Sequence, residues 1–313
     1  MEWLQPMEPI LRPDIPSGDA WIHQIKWDGI RGLTYIDQTG IRLYTKKGKE
    51  RTEFYPELQQ LSKLVEGDSM ILDGEIVVLN DEHKPSFELV LTRERVRTTE
   101  KIPFYVKKYP IKYILFDILF LNGKNLTKRA LIERKNLLLQ SVHQNETIAI
   151  TDDFKDGIKL FSLMREKGWE GIVSKHLDSA YIGGKNHKEW FKVKLQRKML
   201  VVVGGVSWKN EFPNSLLLGV YRKDRLLFIG KASLGLKESD FQMIKEFVPQ
   251  LMQNHSPFYQ LPTKIKDVTW IKPALTCWVQ FLEWTNDGQL RHPKILGFSP
   301  YSPYQAIGKD YVM

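Results

Sequence analysis

The stretch WIHQIKWDGIR, residues 21–31, joins an apolar run to a lysine, an Asp-Gly pair and an arginine. The apolar run predicts a strand that ends at Lys26. Because Asp28-Gly29 is typical of a tight turn, the simplest interpretation is a hairpin in which Lys26 is a solvated strand end. The functional interpretation, in which Lys26 carries chemistry, depends on what the rest of the chain supplies.

Two further clusters place carboxylates inside apolar strands. Asp73 and Glu75 lie in LDGEIVV, residues 72–78, and Asp117 lies in YILFDILFL, residues 113–121. A second Asp-Gly turn is the alternative for the first cluster, but a turn is rarely followed at once by another acid and an apolar run. Buried carboxylates are costly unless they are paired or coordinating, so these acids are predicted to have partners.

Two lysine-rich clusters follow, EGIVSK at residues 170–175 and WFKVKL at residues 190–195. Alternate side chains of a strand share a face, so Lys192 and Lys194 point the same way. Two neighbouring ammonium groups favour a phosphate ligand, although lysines on a solvated edge strand give the same pattern. Glu170 and Lys175 are an odd number of residues apart, so Gly171 has to break the alternation if both serve one site.

The composition bounds the class of protein. A chain of 313 residues with 42% hydrophobic and 27% charged residues predicts two folded domains rather than disorder. Cys277 is the only cysteine, which excludes an internal disulfide and a cysteine-based zinc site. The sequence begins without a secretory pattern, and no apolar run approaches the length of a membrane span. A cytoplasmic protein without a membrane partner is therefore expected.

The net charge of +9 is distributed unevenly. Residues 1–195 contain 31 basic and 28 acidic residues, whereas residues 196–313 contain 15 and 9. A basic module favours a polyanion such as nucleic acid, since phosphate attraction supplies most non-specific affinity. A well-solvated surface is the alternative interpretation of the same excess.

The pattern of elements predicts an α+β fold with three segments. Residues 1–195 mix strands and helices, with helical patterns near 55–64, 86–97, 127–144 and 156–167. Thr127 is expected to cap the third helix and Gly168 to end the fourth. Residues 196–299 contain about five strands and one helix, typical of a small β-barrel of the OB type. Residues 300–313 are predicted to be a tail or linker.

Five clusters in this order resemble the nucleotidyltransferase motifs of the ATP-dependent DNA ligases. The family patterns are K-x-D-G-x-R, D-G-E, an aromatic residue before an acid, E-G-[IV]-x-x-K and K-x-K. They occur here as KWDGIR, DGEIV, FD, EGIVSK and KVK, with a family-like PMEPIL before the first. The resemblance covers about residues 5–298 and is closest to small ligases of bacteria and phages, including the ligase part of bacterial end-joining ligases.

The resemblance implies an adenylation domain followed by an OB-fold domain, and a reaction in three steps. Lys26 would attack the α-phosphate of ATP, releasing pyrophosphate and leaving a lysyl-AMP. The AMP would pass to a DNA 5′-phosphate, and the neighbouring 3′-hydroxyl would displace it. An ordinary lysine has a pKa near 10.4, so Lys26 has to lose a proton before it attacks.

The resemblance also assigns residues to the nucleotide. Its ATP- or AMP-binding residues are Gln24, Ile25, Arg31, Lys46, Glu75, Phe116, Lys175, Lys192 and Lys194. Phe116 would stack on adenine, and the lysines would contact phosphates. Gln24 and Lys46 stand where the family often has an acid and an arginine. Glu170 and Glu75 would hold Mg²⁺ or Mn²⁺, and Arg291 or Lys294 would orient the leaving pyrophosphate.

The resemblance implies partners and leaves alternatives open. The partners would be duplex DNA with a nick or an end and, by likeness to end-joining ligases, the end-bridging protein Ku. The protein would be a monomer in the nucleoid-associated cytoplasm of a bacterium, acting in DNA repair and recombination. NAD as the cofactor is disfavoured because only 25 residues precede Lys26 and Cys277 is alone. An RNA ligase, a capping-type guanylyltransferase and a non-catalytic DNA-end-binding module remain alternatives.

Overall fold

The computed structural model describes residues 3–210, 212–233, 235–236, 238–261, 265, 267–285 and 287–312. The chain divides into two compact units, Met1–Lys194 and Leu195–Met313. No helix of the described residues is long and apolar enough to cross a membrane.

From residue 3 onward, the first unit contains ten strands, four α-helices and three short 3₁₀ helices. The strands are β1 (Ile10–Leu11), β2 (Trp21–Ile25), β3 (Ile30–Asp37), β4 (Gly40–Thr45), β5 (Met70–Val78), β6 (Ile111–Leu121), β7 (Lys124–Asn125), β8 (Ile148–Ile150), β9 (Gly171–His176) and β10 (Trp190–Lys194). The α-helices are α1 (Phe87–Glu94), α2 (Ile102–Lys108), α3 (Leu131–Ser141) and α4 (Gly157–Lys167). The 3₁₀ helices are Thr52–Phe54, Pro56–Lys63 and Thr99–Lys101.

These strands form two sheets, in which β1 pairs with β10 and β8 pairs with β6 in parallel, while the other described pairs are antiparallel. The smaller sheet has the order β1-β10-β9-β2, and the larger has the order β4-β3-β5-β6-β7 with β8 parallel to β6. Apolar residues of both sheets, including Leu33, Ile71 and Trp190, share one buried cluster. A second cluster covers the other face of the larger sheet, where Leu72, Ile76 and Val78 alternate with the first set. The predicted α+β class is confirmed.

The described residues of the second unit form one sheet, one α-helix and the 3₁₀ helix Pro303–Gln305. Its strands are β11 (Arg197–Lys209), β12 (Phe212–Arg222), β13 (Arg225–Ala232), β14 (Val268–Phe281), β15 (Lys294–Ser299) and β16 (Asp310–Val312), and its α-helix is α5 (Glu238–Leu251). The order is β13-β12-β11-β14-β15, with β16 added to the start of β11. Every pair among the described strands of this unit is antiparallel, and α5 packs beside β14 and β12. This is the strand content expected of an OB-type module.

The segment after Pro300 differs from the predicted tail or linker. Its last described residues form β16, in which Tyr311 pairs with Lys198. Ala306 is fully buried, and its carbonyl accepts from the amide of Tyr221. Short strands and single buried residues leave no periodic signal, so the sequence does not indicate this packing. Met313 lies outside the described residues.

The two predicted helix ends had different outcomes. Gly168 ends α4 with φ of 64°, the left-handed conformation that glycine adopts without strain. The cap at Thr127 is wrong, because α3 begins after Ala130 and the Thr127 hydroxyl instead donates to Asn125 Oδ1 at 2.7 Å. Polar side chains before a helix serve turns as readily as caps.

Candidate active site

A cavity of about 210 Å³ in the first unit brings together most of the predicted nucleotide residues. Both sheets contribute to it. The lining residues are Pro6, Glu8, Pro9, Gln24, Ile25, Lys26, Trp27, Arg31, Lys46, Glu75, Phe116, Thr151, Val173, Lys175, Trp190 and Lys192. Lys194 and Glu170 do not line the cavity themselves, but both are joined to it through Lys26. The predicted residues of the first unit therefore lie in one place although up to 170 positions separate them in the sequence.

Lys26 follows β2 directly and is held by an acid that immediately precedes the neighbouring strand, β9. Its Nζ lies 2.6 Å from Glu170 Oε2, and Lys194 Nζ lies 2.6 Å from the other oxygen, Oε1. Burial alone would favour the neutral acid, but the two ammonium groups lower the pKa of Glu170 below its ordinary value. Gly171 takes φ of 138°, a break in the strand geometry of the kind that the odd spacing requires.

Glu75 faces the same cavity from the centre of β5. Burial raises its pKa to about 7 against the opposing effect of Lys26 and Arg31. The nearby Glu170 carboxylate adds to this rise. A carboxyl group with a raised pKa gains from a cation that stabilises its charged form, so Glu75 and Glu170 together favour a positively charged ligand.

Arg31 lines the cavity, but most of its guanidinium group is engaged in hydrogen bonds with Asp73. Its Nε and Nη2 lie 2.5 and 2.6 Å from the two oxygens of Asp73, which is completely buried. Tyr181 also donates to Asp73, at 2.6 Å. Asp73 thus has the partners that its sequence context predicted. The guanidinium lies 4.4 Å from the Phe116 ring centroid, so Arg31 also fixes that ring.

Lys175 projects from β9 between two aromatic rings. Its Nζ lies 4.3 Å from the centroid of Phe116 and 4.1 Å from that of Trp190. Among the described residues this buried ammonium has no hydrogen-bond partner. Burial lowers its pKa to about 7. An unpaired cation at the wall of a cavity is suited to a phosphate ligand, which would supply the missing partner.

Replacing Lys175 by methionine is expected to stabilise the ligand-free protein by about 1–3 kcal/mol, because it removes an unsatisfied buried donor. The folded-state pKa lies below the unfolded value of 10.5, so wild-type stability rises between about pH 7 and pH 10.5. The difference in the free energy of unfolding between Lys175→Met and the wild type should therefore be largest near pH 7 and shrink toward pH 10. Urea unfolding across this pH range measures it. A Lys175→Met variant that is less stable than the wild type at pH 7 would show that the buried ammonium does not destabilise the protein.

Lys192 and Lys46 place further positive charge at the cavity. Burial and the neighbouring Lys194 and Lys26 lower the pKa of Lys192 to about 8. Lys46 Nζ lies 2.6 Å from Glu8 Oε2, and Glu8 is a cavity residue of the PMEPIL stretch to which the sequence analysis assigned no role. The clustered lysines repel one another, and a polyphosphate would relieve that repulsion.

Gln24 belongs to a chain of polar contacts that the sequence analysis missed. Its Nε2 donates to Asp153 Oδ1 at 2.7 Å, and the buried Lys135 donates to the same oxygen at 2.6 Å. A carboxylate only accepts, so the Gln24 amide nitrogen faces Asp153 and its carbonyl oxygen is directed elsewhere. Asp153 follows the short strand β8, and an acid just after an apolar run was the available signal.

Asp117 has its predicted partner in α3. Arg134 Nε and Nη2 lie 2.8 and 2.9 Å from the two carboxylate oxygens, and both side chains are completely buried. Arg134 also donates to the Ser179 carbonyl at 2.9 Å. This pair therefore supports β6 and the neighbouring Phe116 and does not line the cavity.

The second unit contains the residues predicted to orient pyrophosphate. Arg291 Nη1 lies 2.6 Å from Glu283 Oε1, so part of its guanidinium is engaged within the unit. Lys294 is exposed at the start of β15. Both residues belong to the second unit, whereas the cavity described above is built from the first unit.

Two protein-family models match the chain. The model described as "ATP dependent DNA ligase domain" matches residues 12–194, and the model described as "ATP dependent DNA ligase C terminal region" matches residues 209–300. The first match alone covers more than half of the chain and contains Lys26, Glu170 and Lys175.

Curated relatives include proteins of bacterial end joining. The multifunctional non-homologous end joining DNA repair protein LigD of Mycobacterium tuberculosis H37Rv is 32% identical over 291 residues, which is 91% of this chain and 37% of that protein. The bifunctional non-homologous end joining protein LigD of Bacillus subtilis 168 is 26% identical, over 93% of this chain and 48% of that protein. The chain thus spans less than half the length of these relatives.

Solved structures give the same picture. The ligase domain of M. tuberculosis LigD matches with a TM-score of 0.50 and 29% identity, covering 97% of this chain and 98% of that domain. A mycobacterial DNA ligase D complexed with ATP and MES matches equally well, with a TM-score of 0.50 and the same coverage. A Lig E DNA ligase has a TM-score of 0.65 at 16% identity over 95% of this chain, a likeness of fold alone.

Proposed function

Because the chain belongs to the ATP-dependent DNA ligase family, we propose that its cavity binds ATP and that Lys26 carries the AMP group before it passes to DNA. The observation that supports this most directly is the position of Lys26 at a cavity with Lys175 and Lys192. Nucleophilic attack by the Lys26 amine on the α-phosphorus forms an N–P bond and expels pyrophosphate.

The protein's own groups prepare this step. Lys175 and Lys192 would neutralise the triphosphate, and their charges disfavour a proton on any nearby amine. Phe116, held between Arg31 and Lys175, would offer its ring to the base. The AMP then passes to the 5′-phosphate of a nick, and attack by the 3′-hydroxyl seals the strand and releases AMP.

A divalent cation fits the acids of this site. Mg²⁺ in nucleotide enzymes is typically held by one or two carboxylates together with substrate phosphates, and Glu75 and Glu170 supply the two carboxylates. No group of three potential metal ligands occurs among the described residues, in keeping with a metal that arrives with the nucleotide. When bound, Mg²⁺ or Mn²⁺ would supply electrostatic stabilisation of phosphate charge.

The direct test is incubation with ATP labelled at the α-phosphate. We expect covalent label on Lys26, and sealing of nicked DNA in preference to nicked RNA. Label from GTP instead would support a capping-type guanylyltransferase, and preferential RNA sealing would support an RNA ligase. A wild-type chain that takes up no label and still binds DNA ends would support the non-catalytic module.

The Gln24 geometry predicts selectivity for adenine. The amide oxygen not bonded to Asp153 can accept from the exocyclic amine of adenine, whereas guanine presents a carbonyl there. Asp153→Ala releases the amide, so the preference for ATP over GTP should fall by about tenfold, the value of one hydrogen bond. The ratio of labelling rates from the two nucleotides measures this. Asp152→Ala, an exposed neighbouring change, should leave the ratio unchanged.

The likeness to LigD proteins supports a role in end-joining repair, with duplex DNA ends as the substrate. We propose Ku as a partner in that role. The protein would act as a monomer in the nucleoid-associated cytoplasm. Comparing the rates of sealing a nick and joining cohesive ends, with and without added Ku, tests this role. If added Ku leaves the rate of end joining unchanged, Ku is not a partner of this protein.

A further inference from the structure

The connection between β5 and β6 contains a concentration of positive charge away from the cavity. Residues 95–108 include five basic residues and a single acid, Glu100. The basic residues, called here the basic surface, are Arg95, Arg97, Lys101, Lys107 and Lys108. Residues 1–194 contain 31 basic and 28 acidic residues, so the unit without this segment is slightly acidic. The segment therefore supplies the positive charge of the whole unit.

All five side chains of the basic surface are exposed. Within the described part of the chain, none of them forms an ion pair with a carboxylate. The residues just before them differ, because Arg93 pairs with Glu57 at 2.8 Å and Glu94 pairs with Arg51 at 3.1 Å. The charges of Arg93 and Glu94 are therefore compensated by ion pairs, whereas, among the described residues, the five exposed charges of the basic surface are not.

The segment is held in place. Val96 and Ile102 are buried, and Arg51 donates to the Glu94 carbonyl at 2.6 Å. Lys101, Phe104 and Lys108 follow i, i+3, i+7 spacing and share one face. Lys108 Nζ lies 5.5 Å from the centroid of Phe104, whose ring is 61% exposed. The basic surface is therefore an ordered array rather than a loose loop.

The sheet register places the two ends of this connection near the cavity. Val78, at the end of β5, pairs with Ile111, at the start of β6. Glu75 lies three residues back along β5, a distance of about 10 Å at the usual rise per residue. The connection therefore leaves the sheet about 10 Å from Glu75, a residue of the cavity. This distance is much shorter than one helical turn of DNA, which is about 34 Å.

We propose that the basic surface binds the phosphate backbone of the duplex on one side of the nick, an inference that rests on the proposed function. Duplex DNA carries one charge per about 1.7 Å of its axis, a density that five clustered cations match without reading sequence. A surface with one exposed aromatic ring among five charges favours this ligand over an apolar protein partner.

The test measures binding of a nicked duplex with a 3′-dideoxy end, without ATP, across a range of salt concentrations. The test variant replaces four members of the basic surface by glutamine: Arg97→Gln, Lys101→Gln, Lys107→Gln and Lys108→Gln. We expect at least about tenfold weaker binding, and a salt slope shallower by about 0.9 for each phosphate that the variant no longer neutralises. Glu100→Lys should steepen the slope by about one.

A matched control removes the same charge from scattered exposed positions of the unit: Lys63→Gln, Lys124→Gln, Lys159→Gln and Lys167→Gln. Equal affinity and slope for the two quadruple variants would overturn the inference, as would a Glu100→Lys variant with a wild-type slope. Labelling of Lys26 by ATP should be unchanged in every variant, because no DNA takes part in it. Failure of the wild type to take up label would instead contradict the proposed function.

Discussion

Lys26→Ala is expected to abolish covalent attachment of AMP, because no other lysine occupies the nucleophile position of KWDGIR. Lys26→Arg should fail as well, since a guanidinium stays protonated and cannot attack. The fold should survive, because Glu170 keeps its contact with Lys194 at 2.6 Å. The measurement is transfer of α-labelled AMP to protein, followed by peptide mapping of the label.

The control for this prediction is Lys188→Ala, an exposed lysine two residues before β10. It should keep wild-type labelling. The Lys26→Ala variant should still seal a strand that has already been adenylated, because that step needs no lysyl-AMP. An AMP-bearing peptide that contains any lysine other than Lys26 would contradict the assignment.

Arg134→Met is expected to lower the free energy of unfolding of the first unit by about 3–5 kcal/mol, because it leaves the Asp117 carboxylate buried without its counter-charge. Replacing both residues, as Arg134→Met with Asp117→Leu, should recover part of the loss. Hydrogen exchange of the β6 amides reports this unit directly.

Arg42→Met is the matched comparison, since its pair with Asp37 at 2.6 Å is partly exposed. It should cost less than about 1 kcal/mol. Equal costs for Arg134→Met and Arg42→Met would mean that burial does not set the value of the Asp117 pair.

Much of the candidate site was predictable from the sequence motifs. The resemblance to ATP-dependent DNA ligases is confirmed, and the fold class with it. The position of carboxylates within apolar strands predicted that each has a partner, because an unpaired acid such as Asp117 is too costly to bury. The sequence did not identify the partner of Asp117, because Arg134 lies in a helix 17 positions away.

Other features were hidden for identifiable reasons. Arg31 matched the motif, yet its bidentate contact with Asp73 depends on the register of β3 and β5, which sequence does not fix. Lys135 and Asp153 belong to no motif, and only the fold brings them to Gln24. The strand β16 is three residues long, which is too short for any periodic pattern to indicate.

The contact between Lys26 and Glu170 has a consequence for the chemical inertness of the resting protein. Small electrophiles such as cyanate react with an amine by reaching its nitrogen atom directly. Glu170 Oε2 lies 2.6 Å from Lys26 Nζ and covers one approach to that nitrogen, so this contact would protect Lys26 from carbamylation while no nucleotide is bound. The acid proposed to hold the metal ion would thereby also preserve the proposed nucleophile between turnovers.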